Sequence, residues 1–128
     1  MDKNNAHQIN KSFFKMFVDF IELLELQCYN EHFVDFYAKQ LNVSVRHLTE
    51  CIKNFSGKTP SQWINDMLVS KIKAELILNQ KPIGQIATDY GFSDISILYR
   101  FFKNATGMSP KQFQSENESG EDEDSYEK

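Results

Sequence analysis

Two short polar stretches carry the side chains with the most chemistry to offer. Arg46, Thr49, Glu50 and Lys53 follow one another at intervals of three, one and three residues, and Ser96, Tyr99, Arg100 and Lys103 do the same. On a helix this spacing lines them along one face. Each face has an arginine whose guanidinium can fork onto guanine O6 and N7, hydroxyls that suit bases or phosphates, and a trailing lysine for phosphate charge. Val45 and Ile95 open the two stretches, and Ile95 can meet a thymine methyl. Glu50 can accept from cytosine N4 or simply repel phosphates. By period alone the same faces also fit ordinary solvated surface, and a helical hairpin can be a plain packing unit.

Catalysis finds little support in the chain. His7, His32 and His47 are scattered, and there is no H-E-x-x-H, no C-x-x-C and no phosphate-cradling glycine loop. No nucleophile–base pair stands out, and no metal or cofactor set. His47, beside Arg46, reads as a rim or backbone contact. The expectation is a protein that is not an enzyme.

What positions the polar stretches is a repeated frame. Gly57-Lys-Thr-Pro-Ser-Gln-Trp63 and Gly107-Met-Ser-Pro-Lys-Gln-Phe113 share the form G-x-[ST]-P-x-Q-[aromatic], fifty positions apart. A fixed-period repeat means one structural unit used twice. Upstream of each glycine, Leu48, Cys51, Ile52 and Phe55 answer to Leu98, Phe101, Phe102 and Ala105. Their i, i+3, i+4, i+7 spacing predicts the buried stripes of two helices. Glycine suits the left-handed residue that ends a helix. Thr59-Pro60 and Ser109-Pro110, with Gln62 and Gln112 placed as in a capping box, predict a restart. From Pro60 a helix runs to about residue 79, with Trp63, Ile64, Met67, Ile72, Leu76 and Leu78 as its apolar face and a length of about 28 Å. Shorter helices are expected around 33–40 and 83–90. A break falls at Asn42-Val43-Ser44, and Ser93 or Asp94 caps the later helix.

The expected architecture is all-α, with two helix-turn-helix units of homeodomain-like form joined by a long linking helix, about seven helices in all. Residues 1–11 are polar and read as a flexible N-terminus, and 12–114 as the folded domain. Within it the first unit spans about 30–57, the linking helix about 60–79 and the second unit about 82–107. From Phe13 to Leu26, ten of fourteen residues are apolar, which makes a helix greasy over most of its girth. It lies across the core or docks on a second subunit or domain.

Composition bounds the partners. Hydrophobic content of 41% with eleven Phe is enough for a core, and no apolar run is long enough to span a membrane. Cys51 falls in an apolar period and reads as a buried free thiol of a reducing cytoplasm. The net charge of −4 is uneven. Residues 115–128 hold seven acids and one lysine and read as a disordered acidic tail, while 53–114 carry eight basic and four acidic groups. The second half therefore suits an anionic partner better.

These residues resemble the AraC/XylS family of bacterial transcription regulators over about residues 30–113. The family's double helix-turn-helix pattern stands here as Tyr37-Ala38-x-x-Leu41-Asn42-Val43-Ser44-x-x-x-Leu48 and Gly57-Lys-Thr-Pro60. It continues as Ile83-x-x-Ile86-Ala87-x-x-Tyr90-Gly91-Phe92-Ser93-Asp94-x-Ser96 and Arg100-x-Phe102-Lys103-x-x-x-Gly107-Met-Ser-Pro110-x-x-Phe113. The resemblance implies sequence-specific binding of double-stranded DNA in the bacterial cytoplasm at the nucleoid, one recognition helix from each unit entering successive major grooves. By position it implies base contacts from Arg46, Thr49, Glu50, Ile95, Ser96 and Arg100. Ser44, Val45, Lys53, Lys58, Ser93, Tyr99 and Lys103 would then contact the backbone or line the rim. No cofactor follows from it, and no membrane. RNA polymerase, and an N-terminal effector or dimerisation domain outside this chain, are further candidate partners. Two departures stand out: Ser70 where the family usually has arginine, and Leu98 where it usually has phenylalanine. The rival reading is a helical protein-interaction module that works through the apolar helix 13–26.

Overall fold

A computed structural model describes residues 3–117, with side chains from Lys11 onward. Among the described residues there are seven helices and no strand. They are α1 (Lys3–Gln27), α2 (Val34–Gln40), α3 (Val45–Ser56), α4 (Pro60–Leu78), α5 (Ile83–Asp89), α6 (Ile95–Thr106) and α7 (110–117). The chain divides into two compact units, Met1–Met67 and Leu68–Lys128, with the boundary inside α4.

The first unit packs around Phe20, Leu24, Cys28, Tyr37, Ala38, Leu48, Ile52 and Ile64. α1 supplies the first two, fully buried, and lies against α3. The greasy helix is thus core cover, which explains why it needs apolar residues on more than one side. Phe17 meets the rings of both Phe55 and Trp63, at 5.1 and 5.4 Å. Tyr37 is buried without penalty because its hydroxyl donates to the Glu31 carbonyl at 2.7 Å. That burial pushes the phenol well above its usual range, with Cys28 and Glu31 adding smaller charge effects.

The second unit buries Leu68, Ile72 and Leu76 of α4 with Ile86, Ala87, Tyr90, Leu98 and Phe102. Tyr90 donates to Glu75 at 3.1 Å, and Lys81 bridges Glu75 and Asp89 at 3.4 and 2.7 Å. Gln114 on α7 donates to the Leu76 carbonyl and to Asn79, each at 2.9 Å, closing the exposed end of α4.

The repeat proves physical. Burial along 44–63 and 94–113 matches residue for residue, save that Cys51 is buried and Phe101 only half-buried. Gly57 and Gly107 take left-handed φ of 83° and 88°. Just before each, Ser56 and Thr106 donate to the carbonyls of Ile52 and Phe102 and of Lys58 and Met108. Thr59 and Ser109 then accept from the Gln62 and Gln112 N–H groups, as the capped restart requires. The helix-turn-helix turns match as well. Val43 and Phe92 N–H groups bond the Ala38 and Ala87 carbonyls, and Asn42 and Gly91 bond Lys39 and Thr88. This is the Schellman arrangement, with Asn42 (φ 59°) and Gly91 (φ 79°) in its left-handed position.

Several expectations need correction. α1 begins at Lys3 rather than after residue 11, because a helix nucleated by the apolar 13–26 stretch extends cheaply into the polar residues before it. α7 continues through 117, so 115–117 belong to a helix; the remainder of the acidic stretch lies outside the described residues. Phe55 is 42% exposed and Ala105 is also exposed, since the last turn of each helix projects past the core. On α4, Leu78 is exposed, and Leu68, outside the expected face, is buried.

Candidate nucleic-acid interface

α3 owes its position to two devices. Its buried stripe, Leu48, Cys51 and Ile52, fixes the rotation, and Ser44 fixes the start by accepting the His47 N–H at 3.0 Å. Because the Ser44 oxygen is the acceptor there, its hydroxyl proton stays available to an outside acceptor such as a phosphate. With the stripe inward, Val45, Arg46, Glu50 and Lys53 are exposed and Thr49 is half-buried beside them. Among the described residues no ion pair or side-chain hydrogen bond occupies Arg46 or Lys53.

α6 repeats the frame with a different cap. Of the two expected caps it uses Asp94, whose Oδ1 accepts the Ser96 N–H at 2.7 Å and the Ser96 hydroxyl at 2.8 Å. Those two bonds hold the Asp94 carboxyl below its usual range. Ser96 has therefore already donated its proton, and towards a base it offers an acceptor. Ile95, Ser96, Arg100 and Lys103 are exposed, Tyr99 is half-buried, and Ser93 is exposed in the turn. No partner among the described residues occupies Arg100 or Lys103. Each helix thus gathers its own expected base-contacting residues on one open face, Arg46, Thr49 and Glu50 on α3 and Ile95, Ser96 and Arg100 on α6.

The two faces differ in register. At the offset of fifty, Arg46 answers to Ser96 and Glu50 to Arg100. The arginine stands in the first turn of α3 and in the second turn of α6. Glu50 places a negative charge where α6 has its arginine, and Asp94 places one where α3 has neutral Ser44. Replacing Asp94 by Asn keeps a good cap and removes that charge. We expect D94N to keep its thermal midpoint near neutral pH and to bind DNA more tightly at low salt; unchanged binding by fluorescence anisotropy would count against the reading. The carboxylate's contribution to stability is present above its unfolded pKa, near 3.9, and is lost as pH falls through the lowered folded value, so D94N should flatten the acid limb.

Lys58, expected at the backbone or rim, is held by two neighbours. Its ammonium pairs with Asp66 and lies 3.9 Å from the Trp63 ring centroid. His47 is exposed, and its Nε2 comes within 3.6 Å of the Cys51 sulfur. Burial, and after it the charge of Glu50, pushes the Cys51 thiol up. Neither Cys28 nor Cys51 is joined in a disulfide. Ile97, 39% exposed at the position of His47, adds an apolar contact to the α6 face. Its signal was the fifty-residue offset, since an apolar residue outside the buried stripe has to point out. Ser70 is exposed on α4. No group of three His, Cys, Asp or Glu side chains among the described residues is arranged to hold a metal ion. No helix among them is long and apolar enough to cross a membrane.

Comparison with known proteins bears on this arrangement. A family described as a helix-turn-helix domain matches residues 37–116. The transcriptional regulator RipA of Corynebacterium diphtheriae is 37% identical over 79 residues, 62% of this chain and 23% of RipA. The multiple antibiotic resistance protein MarA of Escherichia coli is 31% identical over 75 residues, 59% of each chain. This chain therefore matches only a quarter to somewhat over half of the length of these relatives. An AraC-type regulator from Chromobacterium violaceum shares the fold with a TM-score of 0.70 at 21% identity, over 80% of this chain and 92% of that one. The DNA-binding domain of AdpA, solved in complex with a target DNA, does so at 0.71 and 17%, over 80% and 93%. With its two identically framed helix-turn-helix units and a family match over most of both, the chain belongs to the AraC-type helix-turn-helix family.

Proposed function

We propose that this chain binds double-stranded DNA by sequence as part of a transcription regulator, with α3 and α6 as recognition helices in successive major grooves. The observation that carries the reading is the pair of helices set in one frame, each turning an unpaired arginine and lysine outward. Such groups are solvated at a small cost when free and are ready to exchange counterions for phosphates. Relatives named as transcriptional regulators support it, as does AdpA's structure with its target DNA. Arg46, Thr49, Glu50, Ile95, Ser96 and Arg100 would meet base edges. Ser44, Lys53, Tyr99 and Lys103 would hold the backbone, and Lys58 would reach a phosphate only by leaving Asp66. RNA polymerase and a neighbouring effector or dimerisation domain are the further partners this role suggests, and the bacterial cytoplasm its place.

The test is selection of bound sites from a random duplex pool, followed by titration of the winners across salt. Two conserved half-sites about one helical turn apart, and an affinity that falls steeply with salt, are expected. Enrichment of no sequence, or an affinity indifferent to salt, would favour a protein-binding module instead.

A further inference from the structure

The flank of α3 turned toward α1 carries chemistry that DNA reading leaves unused. His47 and Cys51 stand one turn apart on one face, with Nε2 3.6 Å from Sγ. Both line a groove of about 320 Å³ whose other wall includes Met16 on α1. His47, Cys51 and Met16 therefore line one small space. We propose that His47, Cys51 and Met16 form a binding site for a soft, thiophilic monovalent cation of the Cu(I) and Ag(I) class.

The separation already fits. Bonds of about 2.3 Å to sulfur and about 2.1 Å to nitrogen, the lengths zinc makes to these donors, place the two donor atoms about 3.6 Å apart at a tetrahedral opening, and a soft ion of similar reach meets the same pair. The donor set selects the ion. Thiolate and thioether ligands favour Cu(I) over hard cations, and among the described residues no third His, Cys, Asp or Glu converges with this pair to complete a zinc site. Asp19 lines the groove but its carboxylate is paired with Lys15 at 3.3 Å. Cys51 is 2% exposed, so few waters compete at the sulfur, while exposed His47 offers the way in. Binding exchanges one ion for another: the S–H bond breaks, a sulfur–metal bond forms, the proton leaves to water and no electron moves. His47 borders Arg46 at the edge of the proposed DNA face, and the site is read without DNA.

The experiment titrates the reduced full chain with Ag(I), and with Cu(I) held against a chromophoric chelator. One ion per chain is expected, with a shift of the His47 Nε2 resonance. Cys51→Ser should abolish binding, and His47→Gln and Met16→Leu should each weaken it by at least the roughly tenfold cost typical of even an outer-shell ligand partner. Cys28→Ala should leave it intact. Because Cys51 is buried and its replacement disturbs packing, exposed His47 is the deciding position. Wild-type affinity in both H47Q and M16L, loss of binding in C28A, or tighter binding of Zn(II) than of Ag(I) would overturn the proposal.

Discussion

Arg100→Ala is expected to weaken binding to a selected site by about 1–3 kcal/mol, which is about 5- to 150-fold in Kd, and to relax specificity within one half-site. Arg46→Ala is expected to cost less. The difference follows from the charges around each arginine. Arg100 projects from the second turn of α6, in a half of the chain with eight basic and four acidic groups, and no described side chain pairs with it. Arg46 shares its face with Glu50, one turn on, whose carboxylate repels the same phosphates that Arg46 would approach. Glu50→Gln should therefore tighten binding at low salt, with the gain fading as salt rises, unless Glu50 accepts from a cytosine. In that case E50Q would lose discrimination at one base pair while gaining non-specific affinity. Equal losses for Arg46→Ala and Arg100→Ala across a salt series would remove the ranking of the two helices.

How far this could be read in advance depended on which force fixes each feature. Buried stripes and caps are local, so Leu48, Ile52, Leu98 and Phe102, the two glycine stops and the proline restarts were legible from spacing alone. The upstream turns were harder to align, because the repeat offset drops from fifty to forty-nine there. Asn42 matches Gly91, yet Ser44 matches Asp94, and Ser93 is the extra residue in between. Only the backbone bonds of the two Schellman turns show that Asn and Gly serve one position. On α4 a straight apolar face was the wrong template. Ile64, Leu68, Ile72 and Leu76 follow one another every four residues, which advances about 40° per step and winds the stripe around the helix. The Asp66 and Trp63 contacts of Lys58 and the contact of His47 with Cys51 depend on side-chain packing that no period encodes. Capping chemistry likewise decides that Ser96 presents an acceptor, a point that matters for what base it can read.

Phe20→Ala is expected to destabilise the first unit by about 3–5 kcal/mol, a large share of the roughly 5–15 kcal/mol that holds a domain of ordinary stability. The residue lies on α1, ahead of the family match at 37–116, so family resemblance alone would assign it no importance. Its burial argues otherwise. Phe20 is fully buried, stacks edge-on to Tyr37 at a centroid distance of 5.6 Å and shares a cluster with Leu24, Leu48, Ile52 and Ile64. Removing the ring opens a cavity beside a buried tyrosine that holds its place through one hydrogen bond to the Glu31 carbonyl. Leu48 and Ile52 set the rotation of α3, so a collapse there also turns the Arg46 face. Trp63, the sole tryptophan, contacts Phe17 of α1 and reports on this unit directly. In urea the fluorescence midpoint of Phe20→Ala should fall well below that of the parent, whereas Phe14→Ala, at a residue 53% exposed, should move it far less. A small shift for both would mean that α1 is peripheral and that α2, α3 and the start of α4 carry the first core without it. A large shift for Phe20 with near-parental α6 function would instead separate the two units energetically, leaving Arg100 to bind its half-site while Arg46 cannot.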